Sequence, residues 1–358
     1  MLDYTNCTIK KVSLHQVGNK TNGEELYTSK SPIDLSAVSS AKAGNNDEKL
    51  QTLLKHFFLN AFTNQEFHSF TFTNEDFTLN PIYNFACDVF ENPRKFHGNT
   101  VSIAKHLYEL SVHPQIKAGD LFVAHLTNLT LDNEEVEALG IFKSENRQDF
   151  IKTNNEEGDF SVDYEDGINI EKLDKGCLIF NTEQENGFKV CIVDRANRSS
   201  EAQFWKNDFL MLKPLSDAYH HTKNFLDIAK NYVSKQFAEE FEITKTDQID
   251  LLNKSVEYFK SNENFDKKKF EKEVFQDANV IKSFRNYNET YQEDHNLEID
   301  DEFEISTHAV KKQSRIFKSV LKLDKNFHIY IHGNKELIEQ GVDKDGRKFY
   351  KIYYTEEK

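Results

Sequence analysis

The chain is predicted to be an α+β protein, with an antiparallel β-meander and packed helices at its N-terminus, a helical middle and a small C-terminal antiparallel sheet. Three observations carry that prediction. Between residues 119 and 195, runs of strand length, from GDLFVAHLTNL to GFKVCIVDR, are separated by short polar breaks. From Tyr219 to about Thr290, apolar residues recur at helical spacing, and after residue 311 the period returns to two. At 358 residues the chain exceeds the usual size of one hydrophobic core. Three segments are therefore expected: 1–212 as an α+β domain, 213–304 as a helical region and 305–358 as a basic, β-rich segment.

The elements follow in order. TIKKVSLHQVGNK and EELYTSKSPIDL, joined by a polar turn from Gly18 to Gly23, suggest a hairpin over Thr8–Leu35. Asn45, Asn46 and Asp47 offer N-caps to a helix whose Leu50, Leu53, Leu54, Phe57, Phe58 and Ala61 share a face. After a β-like FHSFTFT, helices are expected over Ile82–Phe90, stopped by Pro93, and Val101–Leu110, capped by Thr100. Five strands then form the meander: GDLFVAHLTNL, VEALGIFKSE, DFSVDYED, KGCLIFNTE and GFKVCIVDR, with Asn186-Gly187 marking the last hairpin. Ser199 and Ser200 are positioned to cap a short helix that turns Phe204, Trp205 and Phe209 inward. Tyr219, Phe225, Leu226, Tyr232, Val233 and Phe237 share a helical face, and Leu251, Val256 and Phe259 continue the theme. The acidic stretch YQEDHNLEIDDEFE reads as a solvated connection before RIFKSVLKLD, NFHIYIHG and RKFYKIYY, in which Phe327, Ile329 and Ile331 share a strand face.

Composition bounds the function. A formal charge of −15 opposes indiscriminate attraction to phosphate, so any nucleic-acid surface must be local. No basic start precedes an apolar leader and no run is long enough to span a membrane, which points to the cytoplasm. Cys7, Cys87, Cys177 and Cys191 lack metal-ligand or disulfide spacing and are expected as buried reduced thiols. No phosphate-binding, dinucleotide, zinc-protease or nucleophile-elbow motif is present, so neither catalytic residue, metal nor cofactor is assigned. His220 and His221 are neighbours on a helix and point about 100° apart, and His328 and His332 stand about 13 Å apart on a strand, so neither pair suits one metal ion. Acidic groups at Glu134, Glu135 and Glu137, at Asp163, Glu165 and Asp166, and from Glu298 to Glu304 have generic spacing and read as solvated faces.

The basic signals run against the overall composition. Between Lys311 and Lys351 stand eleven basic residues against five acidic ones, a local charge of +6. That is the footprint of a phosphate-contacting face, although lysines also protect strand edges from pairing. The candidate DNA contacts are Lys311, Lys312, Arg315, Lys318 and Lys322. Arg195 and Arg198, at a strand-to-helix turn, could add phosphate contacts, or Arg195 could pair with a neighbouring acid such as Asp194.

The strings VEALGIFKSE, KGCLIFNTEQENGFKVCIVDRANRSSEAQFWKNDFL, DAYHHTKNFLDIAKNYV and VLKLDKNFHIYIHGNKELIEQG, spread over most of the chain, carry a resemblance. They resemble the NdpA/YejK-like family of bacterial nucleoid-associated proteins, in the branch seen in Bacteroidetes-type bacteria. The resemblance implies association with the bacterial nucleoid, double-stranded DNA as partner and no catalytic residues. The expectation is thus a non-enzymatic protein that contacts DNA phosphates largely independently of sequence, with homodimerisation doubling the basic patch. A metal-dependent nuclease or phosphodiesterase, or a protein-interaction scaffold, for example in phage defence, is the alternative.

Overall fold

The computed structural model describes residues 2–35, 45–63, 66–195, 204–295, 297–314, 320–323, 325, 327–331 and 337–356. It is an α+β protein that divides into two compact units, Met1–Leu215 and Ser216–Lys358.

The first unit is built on one large antiparallel sheet. Its strands are β1 (Leu2–Asp3), β2 (Thr8–Val17), β3 (Leu26–Thr28), β4 (Ile33–Asp34), β5 (Phe67–Phe70), β6 (Gly119–Leu131), β7 (Glu134–Ser144), β10 (Lys175–Phe180), β11 (Lys189–Asp194) and β12 (Leu212–Pro214). They run in the order β12-β5-β11-β10-β7-β6-β2-β3, with β1 on β6 and β4 on β2. Helices α2 (Pro81–Glu91) and α3 (Phe96–Leu110), with the π-helical turn Phe204–Leu210, cover one face, where they pack on Leu121, Val123, Leu139, Ile141, Cys177 and Ile179. Helix α1 (Asn45–Leu59) covers the other through Phe57 and Phe58, against Phe122, Ala124, Phe142 and Leu178. Burial on both faces explains why β10 reads as an unbroken apolar run, with Cys177 through Phe180 all fully buried. Phe58 stacks on Phe142 with ring centroids 4.3 Å apart.

Several local expectations change. On α1, Leu50 and Leu53 are exposed, and the buried face is carried by the phenylalanines of the last turns. Helix α3 starts at Phe96, one turn early, because Asn92 and Pro93 set a 3-10 turn that leads into it. Thr100 is therefore interior, and its hydroxyl donates to the carbonyl of His97 at 2.8 Å. The meander pairs β6-β7-β10-β11, but the predicted strand DFSVDYED is not in it. That segment lies in β9 (Asp159–Ile168), which among the described residues pairs only with β8 (Arg147–Glu156), in a separate ribbon. The Asn186-Gly187 signal does mark the link from β10 to β11, as a 3-10 turn ending on Gly187 at φ 89°. Trp205 is buried as expected, its ring tilted against Phe209 with centroids 4.8 Å apart and its indole N–H donating to the Gly176 carbonyl. Ser199 and Ser200 lie outside the described residues.

The second unit is helical around an aromatic core. Helices α4 (Ala218–Asn231), α5 (Lys245–Ser261), α6 (Ala278–His295) and α7 (Thr307–Ser314) combine with the two-stranded pair β13 (Asn264–Asp266) and β14 (Glu302–Glu304). Phe225 on α4 meets Phe259, Phe265, Phe270 and Phe284 within 6 Å. Tyr232 is fully buried among Phe237, Phe275 and Phe284, and its hydroxyl donates to the Val280 carbonyl. The end of the acidic stretch supplies β14, whose Phe303 stacks on Phe265 at 4.6 Å. The C-terminal strands form two hairpins rather than one sheet, β15 (Val320–Leu323) with β16 (Phe327–Tyr330) and β17 (Ile338–Val342) with β18 (Lys348–Ile352).

Candidate nucleic-acid interface

Helix α5 is the platform for the basic segment. It is fixed at its start by a capping box, in which the Thr244 side chain accepts from the Asp247 N–H and the Asp247 carboxylate accepts from the Thr244 N–H. Near its C-terminal end, Val256 and Phe259 share a core with Val310 of α7. Near its N-terminal end, Ile249 packs with Leu321, Ile329 and Ile331 of one C-terminal hairpin and Ile338 and Tyr350 of the other. Ile249 and Phe259 are ten residues apart, or ~15 Å of helix at ~1.5 Å per residue. One helix thereby places α7 and both hairpins side by side.

Lys311 and Lys312 stand exposed near the end of α7. Lys311 lines a cleft of about 760 Å³ together with Lys260, Asn262, Glu263 and Glu304. Lys312 donates to the Tyr219 hydroxyl at 3.1 Å, with its ammonium 5.8 Å from that ring's centroid, so its charge is held in place against the fold. Burial, aided by Lys312 and Lys311, pushes the His308 imidazole below its ordinary range, leaving the lysines as the cations of this helix at neutral pH. The helix is anchored from behind by Gln313, which donates to the Asp227 carboxylate at 3.2 Å.

Lys322 sits on β15 opposite His328. Arg315 and Lys318 lie outside the described residues, as do Arg198 and His332. Arg195 belongs to the first unit. It is exposed just past β11, and its backbone N–H donates to the Asp174 carbonyl at 2.9 Å. The Asp174 carboxylate in turn accepts from the N–H groups of Glu145 and Asn146. Neighbouring Asp194 takes an ion pair from buried Lys175 at 3.2 Å. The structure thus brings Lys311 and Lys312 together on one helix, while Arg195 stands on the other unit.

Two features escaped the sequence reading. One is Lys260, which comes from the end of α5 to share the cleft with Lys311. The other is the aromatic character of the last hairpin. Phe349, Tyr353 and Tyr354 are 39%, 46% and 70% exposed among Arg347, Lys348 and Lys351. The Lys351 ammonium lies 4.9 Å from the Tyr353 ring centroid and 3.4 Å from the Glu339 carboxylate. The string RKFYKIYY held that signal, since cations interleaved with exposed rings suit the phosphates and faces of nucleotides.

Three of the acidic groups weighed as metal ligands are engaged in ion pairs. Asp166 pairs with Arg147 at 2.6 Å, Glu165 with Lys152 at 2.6 Å, and Glu137 with His125 at 2.8 Å. Among the described residues no three His, Cys, Asp or Glu side chains are grouped to hold a metal ion. His221 is buried against Phe303 at 5.3 Å, with Ser216 and Asp300 within 3.7 Å. The four cysteines are free; Cys7, Cys177 and Cys191 are buried and Cys87 is half-buried. Desolvation pushes the Cys7 thiol up to about 11 and the Cys191 thiol to about 12, which makes both poor nucleophiles. No described helix is long and apolar enough to cross a membrane.

Fold and surface together define an α+β protein of two units whose distinguishing feature is a local basic and aromatic surface on an acidic chain. The family model of nucleoid-associated protein YejK matches residues 13–347, across both units, and the chain belongs to that family. No protein of curated function matches it, and no solved structure does.

Proposed function

We propose that this nucleoid-associated protein binds double-stranded DNA directly, as a cytoplasmic homodimer, and performs no catalysis of its own. The observation that carries the reading is the net +6 of residues 311–351 in a chain of net −15, and the described basic residues of that stretch lie on α7 and on two hairpins that pack on one platform helix. Lys311, Lys312 and Lys322 of the described residues, with Arg315 and Lys318, contact backbone phosphates, and Arg195 and Arg198 add to them from the first unit. Such contacts hold the duplex without reading its sequence. A dimer presents the patch twice and so overcomes the repulsion of the remaining surface, because the second contact forms at high effective concentration.

The test is incubation of the full chain with a fluorescent duplex at low salt, with and without magnesium. A shifted, intact duplex under both conditions is expected. Magnesium-dependent cleavage would replace this reading with a phosphodiesterase, and an unshifted duplex at every protein concentration would leave a scaffold that reaches the nucleoid through a partner.

A further inference from the structure

The ribbon β8–β9 sorts its residues by face. Its ten cross-strand pairs place Ile151 opposite Tyr164, Thr153 opposite Val162 and Asn155 opposite Phe160, so these six share one side. The intervening pairs put Lys152, Glu156, Asp159, Asp163 and Glu165 on the other, with Phe150 as its one large apolar residue. The apolar side is open: Ile151 is 79% exposed, Phe160 73%, Val162 73% and Tyr164 74%. No other described strand pairs with the ribbon.

The sorting is held firmly. The two-residue turn Glu157–Gly158 has φ of 53° and 98°, the arrangement that matches strand twist and fixes register, and a slip of one residue would turn every apolar side chain over. At the base, Arg147 bridges Asp166 of β9 at 2.6 Å and Asp120 of β6 at 3.0 Å, tying the ribbon to the main sheet. At ~3.4 Å per residue each strand is ~34 Å long. A two-stranded ribbon of this length with one bare apolar face is marginal in water without a cover.

We infer that this face is the homodimer interface, covered by the same face of a second copy. This rests on the homodimeric part of the proposed function and supplies its surface. Two arguments select the occupant. The four large side chains leave roughly 500 Å² of apolar surface open, so two ribbons face to face bury ~1,000 Å², the area at which a specific interface begins. Charge excludes the competing occupant: the ribbon carries seven acidic residues against two basic ones, which repels DNA. The six outer residues of this face are uncharged, its charges (Arg147, Asp149 and Asp166) lie at the base where Arg147 pairs with Asp166, and the acids of the opposite face turn outward when two copies meet, which is the self-complementarity a two-fold interface requires.

The test is the mass of the full chain in solution by light scattering and sedimentation over ~0.1–100 µM, for wild type and two variants. The first is Ile151→Lys/Tyr164→Lys. The second shortens the ribbon by joining Lys152 to Asp163 through an Asn-Gly turn. The wild type is expected at twice 41.8 kDa and each variant at the mass of its own monomer, with dimer affinity lowered at least ~100-fold and thermal unfolding of the rest unchanged. A wild-type dimer that both variants retain would overturn the ribbon while leaving homodimerisation standing. A wild type monomeric at every concentration would overturn both, with duplex binding by the monomer then deciding the DNA reading separately.

Discussion

Acid stability is expected to turn on one buried histidine. His15, on β2, is 1% exposed. Its Nδ1 lies 3.4 Å from the Ser29 N–H, which can only donate, so the ring proton is on Nε2, 3.1 Å from the Thr100 hydroxyl oxygen. That hydroxyl spends its own proton on the His97 carbonyl. A second proton on His15 would set two donors against each other in a dry site beside the His97 ring, whose centroid is 6.4 Å away. Burial first, and the neighbouring His97 second, bring the His15 pKa down to about 4. An unfolded histidine titrates near ~6.5, so between ~6.5 and ~4 the unfolded chain binds the extra proton and stability falls as the pH is lowered. At ~1.4 kcal/mol per pH unit over ~2.5 units, His15 removes about 3 kcal/mol by pH 4. His15→Gln keeps a donor for Thr100 without a titrating ring. Denaturant unfolding of both proteins at pH 4 to 7.5 measures the difference. The variant is expected to lose stability at pH 7 and to regain about 3 kcal/mol relative to wild type by pH 4. Parallel pH curves for the two would refute the account of this site.

Three further outcomes follow from the same reasoning. Glu145 is 4% exposed and lies 2.9 Å from Lys143 and 3.8 Å from Lys175, themselves 1% and 4% exposed; Glu145→Gln is expected to cost about 3–5 kcal/mol in denaturant unfolding by leaving two buried ammoniums under-compensated. At Gly119 an added Cβ would stand 2.2 Å from the Ser144 carbonyl oxygen on the partner strand, so Gly119→Ala is expected to lower stability by about 1–3 kcal/mol, whereas Gly98→Ala, which meets nothing, should not. If the proposed phosphate contact of its cleft-mate Lys311 holds, Lys260→Ala is expected to weaken duplex binding uniformly across sequences, and a panel of unrelated duplexes checks it.

The elements legible in the sequence were those with a strong period. The helical face from Tyr219 to Val233, on α4 and the π-helical turn Tyr232–Gln236 after it, and the strands β6, β7, β10 and β11, were visible because burial on defined faces dictates the pattern. Less legible were features set by tertiary choice. Leu50 and Leu53 fit the period of α1, yet the sheet reaches only its Phe57 and Phe58 end. The start of α3 was hidden because Gly98 and Asn99 look like a break, while Pro93 nucleates the turn before them. β8 carries only Phe150 and Ile151 as large apolar residues, too few to announce a strand, and nothing local says that β9 leaves the meander with it. At the candidate interface the charge excess was plain in the sequence. The placement of Lys311 and Lys312 on a helix, and the arrival of Lys260 beside them, depend on contacts between segments some fifty residues apart.

The central claim is that DNA is held through phosphates by the C-terminal basic segment. Its most direct test is the affinity of a short fluorescent duplex for the wild type and for Lys311→Glu/Lys312→Glu/Arg315→Glu, titrated between 50 and 200 mM salt. For ~4–6 phosphate contacts, the wild-type affinity is expected to fall linearly on a log–log plot by roughly 10²–10³-fold over that range, at a slope of ~−0.9 per contact, and the variant's slope to be shallower by ~3 or binding to be lost. A wild type that binds no duplex even at 50 mM salt, or a variant with unchanged affinity and slope, would contradict it.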